Sequence, residues 1–89
     1  MDVNESINQI NIACRAFGAE KVVLFGSRAK GTALERSDID VAVAGVSDFD
    51  SLEETIEEIP TLYKIDLVNL DTCRNTLLLE DIREYGREI

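Results

Sequence analysis

Apolar residues recur along this chain with two periods. From Asp2 to Phe17 they fall at Val3, Ile7, Ile10, Cys14 and Phe17, steps of 4-3-4-3 that line one side of a helix. Asp2 and Glu5 read as a capping box, and Gly18 suits the left-handed position beyond the helix end. Val22 to Phe25 is a short apolar run closed by Gly26, the pattern of a buried strand. In Asp38-Ile39-Asp40-Val41-Ala42-Val43 the alternation puts both aspartates on one face of a strand and Ile39, Val41 and Val43 on the other. Helical spacing returns at Phe49, Leu52, Ile56 and Ile59, with Ser51 and Glu54 as a capping box and Pro60 as a stop. Leu62 to Leu70 predicts a third strand, with Ile65 and Leu67 to one side and Lys64, Asp66 and Val68 to the other. A closing helix runs over Asn75 to Tyr85 with Leu78, Ile82 and Tyr85 in its stripe. Gly86 is its C-cap, and Arg87–Ile89 a short edge strand.

These elements predict an α/β (α+β) fold: a small mixed sheet of three to four strands flanked by helices. The link from Phe25 to Asp38 is too short for a crossover helix, so the first two strands should pair antiparallel. One domain over residues 1–89 is expected, with a modest buried fraction that a partner could supplement. No apolar run reaches the roughly 18 residues of a membrane span, and the acidic, amphipathic N-terminus is no signal peptide. Two cysteines, Cys14 and Cys73, make neither a disulfide framework nor a zinc site and fit a reducing, cytoplasmic setting. The chain has no histidine, which removes a histidine base or nucleophile.

The formal net charge of −9 lacks the basic footprint of a protein that binds long nucleic acid. The charge is uneven, however. Arg28, Lys30 and Arg36 cluster between Gly26-Ser27 and the aspartates, with Glu35 the only acid among them. That cationic island suits a small phosphate-bearing molecule. Gly26 lets a backbone approach a ligand closely, and N–H groups beside the Ser27 hydroxyl suit an anionic oxygen. Asp38 and Asp40 on one strand face repel each other and call for a cation between them. Asp66, in the middle of an apolar strand, also needs a partner. Glu53, Glu54, Glu57 and Glu58 form the outer face of the second long helix, read as a solvated surface, with a docking surface for a basic partner as the alternative.

Gly26-Ser27, ten residues, then Asp38-x-Asp40, each flanked by apolar residues, resembles the signature of the DNA polymerase β-type nucleotidyltransferase superfamily. The fuller string GSRAKGTALERSDIDVAV is similar to its minimal nucleotidyltransferase (MNT) family. The resemblance implies a third carboxylate on the strand after the helix, which is Asp66. It implies Asp38, Asp40 and Asp66 as catalytic metal ligands, holding two Mg²⁺ ions that clamp an in-line displacement. Gly26 and Ser27 would hold the nucleotide triphosphate, with Arg28, Lys30 and Arg36 near the leaving pyrophosphate. The transferred unit would be AMP from ATP. The partner implied is a HEPN-domain RNase toxin whose tyrosine is adenylylated, so that this chain acts as the antitoxin of a type VII-like pair. Two other readings compete: a transferase acting on a small molecule, as antibiotic nucleotidyltransferases do, and a non-catalytic acidic module that neutralises a basic partner.

Overall fold

The structure, a computed structural model, describes all of residues 1–89. In chain order the elements are α1 (Val3–Ala16), β1 (Lys21–Phe25), α2 (Ser27–Lys30), β2 (Ile39–Ala44), α3 (Phe49–Glu57), β3 (Ile65–Asn69), α4 (Thr76–Tyr85) and β4 (Arg87–Glu88). The four strands form one sheet in the order β3-β2-β1-β4. β1 pairs antiparallel with β2, as the short connection requires, and antiparallel with β4. β2 and β3 are parallel, with α3 as their crossover. No helix is long and apolar enough to cross a membrane.

The two sheet faces are covered unequally. Strand alternation sends Val22, Leu24, Ile39, Val41 and Val43 to one face, where they are buried with Ile10 and Cys14 of α1 and Leu52 and Ile56 of α3. Val3, Ile7, Phe17, Phe49, Ile59, Ile65 and Leu67 pack around them, so both helical stripes and the inward side of β3 land as their spacing predicts. The other face carries a smaller cluster of Val23, Phe25 and Ala42 under Ile82 of α4 alone. α4 packs on β1, Ala42 of β2 is buried in that cluster and Val68 of β3 packs against it. Asp40 and Asp66, further along the same face, stay partly exposed and form its open part.

Helix starts are fixed by side-chain caps. The Asp2 carboxylate accepts from the Glu5 N–H at 2.8 Å, and Asn75 accepts from the Leu78 N–H at 3.1 Å. At α3 the cap is Asp48, not the predicted Ser51. Asp48 accepts from the Ser51 N–H at 3.2 Å and from its hydroxyl at 2.7 Å, because the helix must begin early enough to turn Phe49 inward. The third strand is shorter than the predicted Leu62–Leu70. Leu62 is fully exposed, and regular pairing starts at Ile65. Gly86 ends α4. A Cβ there would collide with the Ile82 carbonyl and the Val23 side chain, so only glycine lets the chain fold back to pair β4 with β1.

Candidate functional site

β1 ends at Phe25, opposite Asp40 of β2. The chain then turns at Gly26, in a positive-φ conformation (72°) that disfavours other residues, and enters the single turn of α2. A Cβ on Gly26 would strike the Asp40 carboxylate, so this glycine is what lets the turn and the acid share one space. Ser27 and Arg28 head α2, and their N–H groups have no backbone partner, as at any helix start. Gly31 ends α2 in the left-handed conformation.

The parallel register sets Asp40 directly beside Asp66. Neighbouring side chains on one sheet face lie about 5 Å apart at Cβ, close enough for the two carboxyls to feel each other's charge. Burial, reinforced by the Asp66 and Asp38 charges, pushes the Asp40 carboxyl up to about 6 from its ordinary 3.8; Arg28 opposes the shift. Lys64 approaches Asp66 at 3.9 Å, an exposed and weak pair. Asp38 lies one residue before β2 and acts on Asp40 through charge. No three carboxylates or thiols close on a single point. The arrangement is a tight Asp40–Asp66 pair flanked by Asp38, an all-oxygen donor set carrying excess negative charge. It fits a hard divalent cation such as Mg²⁺, which commonly takes one or two carboxylates and completes its shell with water and substrate phosphate.

The three predicted cations part company. Lys30 is tied to Asp81 of α4 at 2.8 Å and lies 4.8 Å from the centre of the Tyr85 ring. The Asp81 hydrogen bond holds its ammonium above the ordinary pKa. Tyr85, expected in the packing stripe, is 45% exposed and serves as that ring. The Arg28 guanidinium donates to the Ser37 carbonyl from Nη2 at 2.6 Å and from Nε at 3.2 Å, and lies over Tyr63 at 5.0 Å. Arg36 is exposed and makes no ion pair or hydrogen bond. It lines a cavity of about 400 Å³ with Met1, Glu35, Leu62 and Tyr63. Another hollow, about 350 Å³, lies under α4 near Lys21, at the far end of β1 from Gly26, and holds none of the three aspartates. The roles of Ser37, Tyr63 and Asp81 escaped sequence reasoning; no spacing rule connects them to their partners.

The match to the family model "Polymerase beta, Nucleotidyltransferase" extends over residues 8–89. The chain therefore belongs to the polymerase β-type nucleotidyltransferases, and is a nucleotidyltransferase by family and fold. Among solved structures, it is 27% identical to a chain of a mutant of the toxin–antitoxin MntA-HpeT, with a TM-score of 0.73 over 93% of this chain and 70% of that one. It is 26% identical to a chain of a toxin–antitoxin solved with AMP-PNP, with a TM-score of 0.66 over 91% of this chain and 69% of that one. A nucleotidyltransferase-type protein from Sulfolobus solfataricus shares the fold at 20% identity and a TM-score of 0.51, over 97% of this chain and 83% of that one. Comparison with curated proteins finds no significant match.

Proposed function

We propose that this chain transfers AMP from ATP, with Mg²⁺, to a hydroxyl of a partner protein, and that it is the antitoxin of a toxin–antitoxin pair. The observation that carries the reading is the in-register Asp40–Asp66 pair pressed against the Gly26 turn. Asp40, Asp66 and Asp38 would hold the metal, which supplies charge neutralisation at the transferred phosphoryl and at the attacking oxygen. The unpartnered N–H groups at the start of α2 and the Ser27 hydroxyl orient the triphosphate. Arg36, which makes no ion pair, is free to meet the pyrophosphate; Lys30 would have to leave Asp81 to assist. Asp66 can accept the acceptor's proton. Most of the rate enhancement is then positioning and electrostatics.

The MntA-HpeT likeness supports a toxin partner, for which we propose a HEPN-domain RNase with a tyrosine acceptor. The AMP-PNP in the other related structure supports an adenine nucleotide. The partly exposed stretch of the sheet at Asp40 and Asp66 leaves room for such a partner to complete the acceptor side. The test is incubation with ATP labelled at the α-phosphate, Mg²⁺ and the protein encoded by the neighbouring gene. Label should reach the neighbour's tyrosine, and Asp38→Ala should abolish it. Absence of label with both proteins folded overturns the reading. Neutralisation that survives Asp40→Asn supports the non-catalytic binding module instead.

A further inference from the structure

The segment from Gly31 to Asp38 carries a site carboxylate yet belongs to neither α2 nor β2. Its own bonds are local: the Ser37 N–H donates to the Leu34 carbonyl at 3.1 Å, and the Leu34 N–H to the Ser37 hydroxyl at 2.8 Å. It is joined to α2 at Thr32, whose N–H reaches the Ser27 carbonyl, and is followed by Ile39 of β2, whose N–H reaches the Lys64 carbonyl just before β3. Between those points, the hydrogen bonds tying it to the rest of the molecule all come from Arg28. Nε and Nη2 converge on the Ser37 carbonyl, and Nη2 also approaches the Glu35 carbonyl at 3.5 Å.

The Ser37 carbonyl is half of the peptide unit whose other half is the Asp38 N–H. That unit is planar, so gripping its oxygen fixes the plane from which the Asp38 side chain departs. The guanidinium also lies over an aromatic ring. Its Cζ is 5.0 Å from the centre of the Tyr63 ring, within the range of a cation–π contact. Two N–H groups of one planar fork, Nε and Nη2, converge on a single carbonyl, a grip a lysine cannot reproduce. Two donors spent on a carbonyl, with a ring alongside, also leave Arg28 poorly placed to swing toward a phosphate.

We propose that Arg28 is a positioning residue: lying over Tyr63, it locks the Ser37–Asp38 peptide and so holds Asp38 where it can serve a cation beside Asp40. The inference rests on the reading of Asp38, Asp40 and Asp66 as a cation site, and it differs from a phosphate-anchoring role in what Arg28→Lys should do. A phosphate anchor has nothing to hold in the nucleotide-free protein, so the change would leave that protein's loop and ion affinity as they are; loss of the clamp would alter both.

Two measurements on the full chain test it. In the ion-free protein, amide exchange at Leu34 and Ser37 should quicken about tenfold in Arg28→Lys, while Val22 and Val41 in the sheet stay unchanged and report an intact fold. With Mn²⁺ alone as probe, read by electron paramagnetic resonance, Arg28→Lys and Tyr63→Ala should each weaken binding about 10- to 100-fold, as loss of outer-shell support typically does. The double variant should lose no more than the worse single one, because both changes break one unit. Tyr63→Phe, which keeps the ring, should retain affinity. Unchanged exchange in Arg28→Lys, or wild-type Mn²⁺ affinity in that variant, overturns the clamp. A wild-type chain that binds no Mn²⁺ overturns the cation site itself, and the exchange arm still decides whether Arg28 orders the loop.

Discussion

Asp40 occupies a place that suits a carboxylate badly. It is half-buried, abuts Asp66 across the parallel ladder and feels Asp38 two residues back, and its pKa stands at about 6 against 3.8 when free. Between about pH 4 and pH 6 the folded chain holds a proton there that the unfolded chain has already released. Stability contributed by this group is therefore present below about pH 4 and is lost as pH rises to about 6. Two pKa units correspond to roughly 3 kcal/mol for an isolated group, and solvent screening at a half-exposed site reduces this to about 1 kcal/mol. Asp40→Asn removes the charge and keeps the shape. In urea unfolding without divalent ions, the variant should gain about 1 kcal/mol on wild type between pH 4 and pH 7. A difference independent of pH would mean that Asp40 is not the strained group. The same variant should abolish nucleotidyl transfer, so stability and activity move in opposite directions at one atom pair.

At the scale of elements, alternation and helical stripes were legible because each depends on residues close in sequence. Ile39, Val41 and Val43 had to face the core once Asp38 and Asp40 faced out, and the two long helices had only one apolar side to bury. Cap positions were less legible where acceptors crowd: Asp48, Asp50 and Ser51 all could start α3, and the need to bury Phe49 decided for Asp48. Asn75→Ala should cost about 1 kcal/mol through loss of the α4 cap. Asp48→Ala should shift the urea midpoint in the same direction, and Glu54→Ala should leave it in place; a loss at Glu54 instead would restore Ser51 as the cap. The site divides along the same line. The Gly26 turn and the strand aspartates could be read from spacing. The fate of the cations could not, because Arg28 meets Ser37 and Tyr63, and Lys30 meets Asp81, through the path of a loop and the docking of α4. Ser6 is a similar case. It is a polar residue fully buried in α1: its hydroxyl donates to the Asp2 carbonyl at 2.9 Å, which sequence proximity allows, and meets Thr61 at 2.8 Å, which only the fold reveals.

Over the whole molecule, unequal coverage of the sheet joins fold to function. Two helices seal one face; the single α4 leaves the other face partly open, and the acids that face could not bury are left where an ion can reach them. A chain of 89 residues with a net charge of −9 has about 4–13 kcal/mol of stability to draw on, so a bound cation should register strongly. Anything that binds only the folded form stabilises it by mass action, about 2.7 kcal/mol at a hundredfold excess over Kd. In a domain of this size that raises Tm by roughly 10–20 °C. Mg²⁺ with AMP-PNP should produce such a rise in wild type, and EDTA should reverse it. General screening of the acidic surface predicts something else: the same rise from NaCl at matched ionic strength, in wild type and Asp40→Asn alike. The site predicts a rise that needs Mg²⁺, exceeds that of NaCl and disappears in Asp40→Asn, although that variant begins from the higher Tm at pH 7. Equal shifts in the two proteins would assign the acids to surface charge and remove the metal from the chemistry.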